Sequence, residues 1–159
     1  MKHLIENYKL VQLSAPVTSN GGFTSDYVSL KNCNMAYVVV NANQAVGHAT
    51  AFEVYQATSV AAGGAKAIAN AVPIWSNADV AATDTLVAQT AAVSFTVAAD
   101  VKKKQFVFQI DPSLLDVANG FDCIAIVVAN SGQATNFVSI DAWLDARYQG
   151  NQPPAAITD

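Results

Sequence analysis

The sequence predicts an all-β domain: a β-sandwich of jelly-roll-like character with extended N- and C-terminal arms. Three observations predict it. Apolar segments of strand length recur at regular spacing, separated by turn signals such as Asn20-Gly21-Gly22, Asn119-Gly120 and Ser131-Gly132. Several of these segments alternate with period two, which puts successive side chains on opposite faces of a sheet. Helix signals are almost absent. At 159 residues one domain is expected, long enough to hold a core without disulfide or metal. The expected organisation is an N-terminal arm over 1–7, a sandwich over 8–148 and a C-terminal tail over 149–159.

Taken in order, Tyr8 to Ser14 is apolar enough for a partly buried strand, and Pro16 is expected to end it. Asp26 to Leu30 alternates. Met35 to Val40 is β-branched and nearly continuous, so it predicts a central strand covered on both faces. Ala49 to Ala57 alternates, with Phe52 and Val54 on one face and Glu53 and Tyr55 on the other. Ala62-Gly63-Gly64 predicts a turn. Lys66 to Trp75 is ambiguous between one helical turn and a weak strand, and Pro73 argues against a long helix. Residues 78–92 predict an excursion or short strand pairing.

Ser94 to Val97 and Lys104 to Ile110 predict a hairpin around a lysine turn, with Phe106, Phe108 and Ile110 sharing a face. Asp111 followed by Pro112 predicts a capped helical turn. Cys123 to Ala129 predicts a second central strand. Phe137 to Tyr148 predicts a long closing strand, with Val138, Ile140, Ala142 and Leu144 on one face.

Composition narrows the function. Apolar residues make up 52% of the chain but charged residues only 13%, against about one quarter in an ordinary domain. Ser, Thr, Asn and Gln supply most of the remaining polarity. A surface so poor in charge is suited to burial against neighbours. No apolar run approaches the roughly 18 residues of a membrane helix. The start, Met1 to Asn7, breaks into polar residues at once, unlike a signal peptide. A net charge of −4 argues against nucleic-acid binding. The basic cluster Lys102-Lys103-Lys104 is read as a solvated turn that discourages edge aggregation.

Catalytic, cofactor and metal residues are all assigned as none. His3 and His48 lie in an expected arm and an expected loop, without a nucleophile signature, and are read as surface side chains. Cys33 and Cys123 are read as buried and inert, although sequence leaves a bridge between them open. Asp111 is read as a helix cap, and Asp116, Asp122, Asp141 and Asp145 as turn or solvent residues. Asp141 and Asp145 would share a strand face about 13 Å apart, too far for a glycosidase acid pair. Trp75, Trp143, Tyr27, Tyr55 and Tyr148 could form a sugar-stacking platform, with buried or interface aromatics the commoner explanation.

The order of segments supplies one further reading. An opening strand ends in Ser14-Ala15-Pro16, and Val28-Ser29-Leu30-Lys31-Asn32 leads into Ala36 to Val40. Phe52 to Ala57, Phe106 to Asp111, Phe121-Asp122-Cys123-Ile124 and a closing Leu144-Asp145-Ala146-Arg147-Tyr148 follow. Over residues 8–148 this resembles small structural proteins of tailed bacteriophages, of the capsid decoration (cement) type. The resemblance implies a virion protein on the capsid surface, made in the host bacterial cytoplasm, with no catalysis and no cofactor. It implies the major capsid protein as partner and a homo-oligomer, a trimer, with arms clamping adjacent capsomers. The alternatives are a carbohydrate-binding module of a phage fibre and a tail or baseplate component.

Overall fold

The computed structural model describes residues 3–150 and 153–158. Residues 1, 2, 151, 152 and 159, which belong to the two expected arms, lie outside the described residues. After one helical turn, α1 (Leu4–Asn7), the strands are β1 (Tyr8–Thr18), β2 (Phe23–Thr24), β3 (Val28–Ser29), β4 (Cys33–Asn43), β5 (Thr50–Ala57), β6 (Lys66–Ala67), β7 (Val72–Asn77), β8 (Val87–Ala92), β9 (Ser94–Val97), β10 (Lys103–Ile110), β11 (Cys123–Val128) and β12 (Phe137–Ala146). The first sheet has the order β1-β12-β4-β10-β7-β8. The second has the order β2-β11-β5-β6, with β3 also on β11 and β9 also on β5. The two antiparallel sheets pack as the expected β-sandwich.

Period-two alternation decides which side chains meet between the sheets. Ala36, Val38 and Val40 of β4, Phe106, Phe108 and Ile110 of β10, and Ile140, Ala142 and Leu144 of β12 face inward from the first sheet. Phe52 and Val54 of β5 and Ile124, Ile126 and Val128 of β11 meet them from the second. Phe106 is the junction. Its ring lies 4.8 Å from Phe52, 5.0 Å from Phe95 and 5.7 Å from Phe108, in tilted and edge-on contacts that suit the aromatic quadrupole.

The loops are held mainly by uncharged side chains. The Asn136 side chain donates to the Val46 carbonyl and accepts from its N–H, both at 2.8 Å, like a missing strand neighbour. The Ser25 hydroxyl accepts from the Ile126 N–H at 2.9 Å. The buried Gln56 carbonyl accepts from the Asp116 N–H at 2.8 Å and anchors the segment that carries two 3₁₀ turns, Pro112–Leu114 and Val117–Asn119. At Gly22, φ is +69° and a Cβ would meet the Val128 carbonyl at 2.8 Å, so the entry to β2 requires glycine.

Several local expectations change. β1 runs through Pro16 to Thr18, because β1 is an edge strand and its register shifts twice between Gln12 and Val17. Pro73 stands where no helix forms, as expected, and falls inside β7 at the register shift against β8 between Val72 and Ile74. Residues 66–77 hold the two strands β6 and β7 joined by a bend, and no helical turn. β4 is covered fully on its core face only, since Met35, Tyr37 and Val39 are half-buried on the other. The expected hairpin of β9 with β10 does not form. β9 pairs with β5 in the second sheet, while β10 pairs with β4 and β7 in the first.

The chain crosses between sheets where the lysines sit, and this overturns the solvated-turn reading for Lys104. Lys104 continues the inward row of Phe106 and Phe108 and is 4% exposed. Its ammonium donates to the Ala98 carbonyl, the Gln44 side-chain carbonyl and the Asp100 carboxylate. Lys102 pairs with Asp79 at 3.5 Å and Asp100 at 3.4 Å. Lys103 remains exposed.

The two ends differ from free extended chain. Leu4–Asn7 is helical, with the His3 N–H donating to Glu6 at 2.8 Å. At the other end the sandwich itself holds residues 153–158. The Ser29 N–H donates to the Ala156 carbonyl at 2.7 Å, Lys9 donates to the Pro153 carbonyl at 3.2 Å, and Ala156 is buried in the core cluster.

Two outcomes follow from these contacts. Phe106→Ala leaves a cavity between the sheets and should cost about 3–5 kcal/mol in denaturant unfolding. Lys104→Met should lower the thermal midpoint, while Lys103→Met should leave it in place. Hydrogen bonding from Lys104, then its charge and that of Lys102, hold the Asp100 pKa below its ordinary 3.8. A depressed folded pKa stabilises the fold above the ordinary value, and this is lost as pH falls through the folded one. Asp100→Asn should therefore flatten the acid limb of a melting-temperature profile.

Candidate binding face on the outer side of the first sheet

The first sheet presents its second face away from the core, and strand register aligns the side chains there in rows. Leu10 of β1, Trp143 of β12, Tyr37 of β4 and Gln109 of β10 form one row. Gln12, Asp141, Val39, Val107, Trp75 and Ala88 form the next, across all six strands. Tyr8, Asp145 and Met35 lie on the near side. Trp75 is 40% exposed and Leu10 49%. Tyr8 and Tyr37 stand 6.5 Å apart between ring centres. Leu4 of α1 and Leu86 before β8 wall a shallow groove of about 510 Å³ over Tyr37, Val39, Trp75, Val107 and Trp143.

The same face turns polar at one end. A hollow of about 560 Å³ is lined by Asn41, Asn43, Asn77, Gln105, Thr83 and Ser139, with Phe137 and Lys103 at its margin. Gln105 donates to the Asn41 side chain at 2.9 Å, and Asn77 donates to the Thr83 carbonyl at 2.6 Å. The face therefore offers aromatic surface beside preset amides, with acids only at Asp141, Asp145 and Asp84.

Of the five aromatics singled out by sequence, only Trp75 and Trp143 share this face. Tyr55 is on β5 of the other sheet and Tyr27 lies in the link between β2 and β3, where burial and then Tyr55 raise the Tyr27 pKa. Tyr148 is exposed beyond the end of β12. Sequence reading missed Tyr37 and Tyr8. Tyr37 sits in the run read as covered on both sides, and its place between Ala36 and Val38 was the available signal. Burial, then Tyr8 and Asp145, raise the Tyr37 pKa.

The other candidates are structural. Asp111 caps its 3₁₀ turn as expected, accepting from the Ser113 N–H at 2.8 Å, which lowers its pKa. Asp116 and Asp122 are not merely solvent residues. Asp116 pairs with Lys66 at 2.6 Å, and Lys66 also stands 4.1 Å over the Phe121 ring; Asp122 pairs with Lys31 at 3.4 Å. Among the described residues no three His, Cys, Asp or Glu side chains come close enough to hold a metal ion. His3 is exposed, whereas His48 is half-buried with its Nδ1 enclosed. Cys33 and Cys123 are both buried and unbridged. Burial, with a smaller push from Asp145 against a pull from Arg147, raises the Cys33 thiol to about 11.

These features define a class at the level of fold, an all-β sandwich of two antiparallel sheets. No protein-family model matches the chain, and no curated protein matches it. Two solved structures align with it. The SPBc2 prophage-derived protein YomS is 9% identical, with a TM-score of 0.48 over 87% of this chain and 92% of that one. A structure described as "CBM4 structure and function" is 11% identical, with a TM-score of 0.32 over 87% of this chain and 68% of that one. At these scores the likenesses carry no argument about function. Among the described residues no helix is long and apolar enough to cross a membrane.

Thiol reagents react with thiolate, which needs both access and a low pKa. Cys33 and Cys123 should stay unlabelled near neutral pH in the folded protein and label together on unfolding, as read by mass spectrometry.

Proposed function

We propose that this chain is a non-enzymatic structural protein of a phage virion, a capsid decoration or cement protein that binds and stabilises the head shell. The observation that carries the reading is the outer face of the first sheet. A contiguous apolar and aromatic strip lies open there, in a chain with 13% charged residues. Such a strip favours a large, dry protein contact. The partner is the major capsid protein, the chain acts as a homo-oligomer, and its location is the capsid surface. The strand order supports the reading at the level of architecture. β1-β12-β4-β10 against β2-β11-β5-β9 is jelly-roll-like connectivity, a plan used by viral capsid domains and by lectins alike.

The amide-lined hollow beside exposed Trp75 favours one second reading, a carbohydrate-binding module of a phage fibre. Stacking on an indole with amides at its edge suits a sugar ring.

Particles of the phage that encodes the chain, separated into heads and tails, test the first reading. The chain should travel with the heads, and recovery only with tails or fibres would overturn the decoration role. Trp75→Lys combined with Leu10→Lys should leave the fold intact and strongly weaken binding to heads stripped of the protein. Retained head binding in that variant, with glycan-array signal lost, would favour the sugar-binding reading of the face.

A further inference from the structure

A β-sheet ends in strands whose outer backbone groups lack a partner, and proteins blunt such edges with prolines, bulges, charges, shortness or cover. Three of the four sheet edges here carry these devices. β1 has Pro16, two register shifts and Lys9, with the C-terminal segment lying beside its start through the Lys9 bond to Pro153. In the second sheet one edge is formed by β2 and β3, of two residues each. The other is formed by β6, of two residues, and β9, of four.

β8 is the exception. It is six residues long, Val87–Ala92, and its first five residues are exposed. It has no proline and no charge. The charge-free stretch is longer than the strand, since no Asp, Glu, Lys or Arg occurs between Asp84 and Asp100. The Val87 carbonyl accepts from the Gln89 side chain of the same strand at 3.2 Å.

We propose that β8 is a pairing edge and that its occupant is β8 of a second copy of this chain, added antiparallel about a two-fold axis. Three features select a second copy. A two-fold makes an antiparallel strand pair self-complementary, each copy giving the same groups that it receives. Two chains of net charge −4 ordinarily repel, but at this edge they meet through a segment without charge. The contact also continues a surface already built. The outer-face row ending in Trp75 and Ala88 would run on into the partner's Ala88 and Trp75, and exposed Val87 and Leu86 would gain cover. The product is one continuous sheet of twelve strands, six from each copy, with the two aromatic strips on it. This pairing gives a dimer where the decoration-protein resemblance implies a trimer. It rests on the edge alone and not on the virion role.

The test is the native mass of the full chain by size-exclusion chromatography with light scattering. The expected mass at high concentration is about twice the 16.6 kDa of one chain. Gln89→Lys with Thr90→Lys places like charges on the facing strands and should weaken association by at least about tenfold, with circular dichroism unchanged. Val17→Lys on the opposite edge should keep the dimer. A wild-type monomer, a wild-type trimer, or a dimer that survives in the folded double variant would each overturn the pairing. Hydrogen exchange on the wild type gives a reading that does not depend on the variant folding. Amides of residues 87–92 should gain protection as concentration rises, and no gain would overturn the proposal.

Discussion

The fold depends on closing two sheets around Phe106. A sandwich is stable only if the inward rows of both sheets interdigitate without voids, and the rows here are unequal. The first sheet brings long strands with Val, Ile and Ala, while the second brings shorter strands around β5 and β11. Phe106 spans the difference, touching Phe108 within its own sheet and Phe52 and Phe95 across the gap. The next inward position toward the start of β10 is Lys104. There the apolar row ends and the sandwich must be sealed where the chain crosses sheets. A lysine does this because its stem packs as a hydrocarbon while its head can satisfy the carbonyls that the crossing leaves open.

That closure explains the unusual composition. Loops at the ends of a sandwich bring many backbone groups close to the core, and each needs a partner. This chain meets that need with amides and hydroxyls: Asn136 on Val46, Gln56 on Asp116 and Ser25 on Ile126. Uncharged side chains can do this inside without the desolvation penalty of an ion. The low charge fraction therefore has two origins. Part of it is internal wiring, and only the remainder, on the outer face of the first sheet, bears on what the protein binds.

The legible parts of the fold were those governed by period-two alternation. Phe52 with Val54, the inward row from Phe106 to Ile110, and the four-residue row of β12 all follow from residue spacing. The Asp111-Pro112 turn was legible because its mechanism is local. The errors were long-range. Nothing in Ser94 to Val97 says that its partner is β5 and not the next strand along the chain. Nothing in three consecutive lysines says that the inward row reaches Lys104 alone, until the register of Phe106 is carried two residues back. Pro16 was read as a strand end because proline lacks a donor, but a register shift on an edge strand absorbs that loss. The binding face was half legible. Trp75 and Trp143 stood out as residues, but their meeting with Tyr37 and Tyr8 depends on β12 and β4 being neighbours, and that pairing joins segments about a hundred residues apart in the chain.

The outer face and the bare edge have a common structural origin. β7 and β8 extend the first sheet beyond β10; β7 still buries Val72 and Ile74 in the core, whereas the first five residues of β8 are exposed. The added strands bring Trp75 to the end of the aromatic row and leave β8 as the rim. The exposed strand β8 widens the face while adding little to the core. Blunted edges elsewhere keep association from being indiscriminate. The outer face and the rim thus bring exposed apolar side chains and an open strand edge together on one sheet. Contacts made there can act together, since a partner seated on the strip and a strand paired at β8 would share the rigid frame set by Phe106.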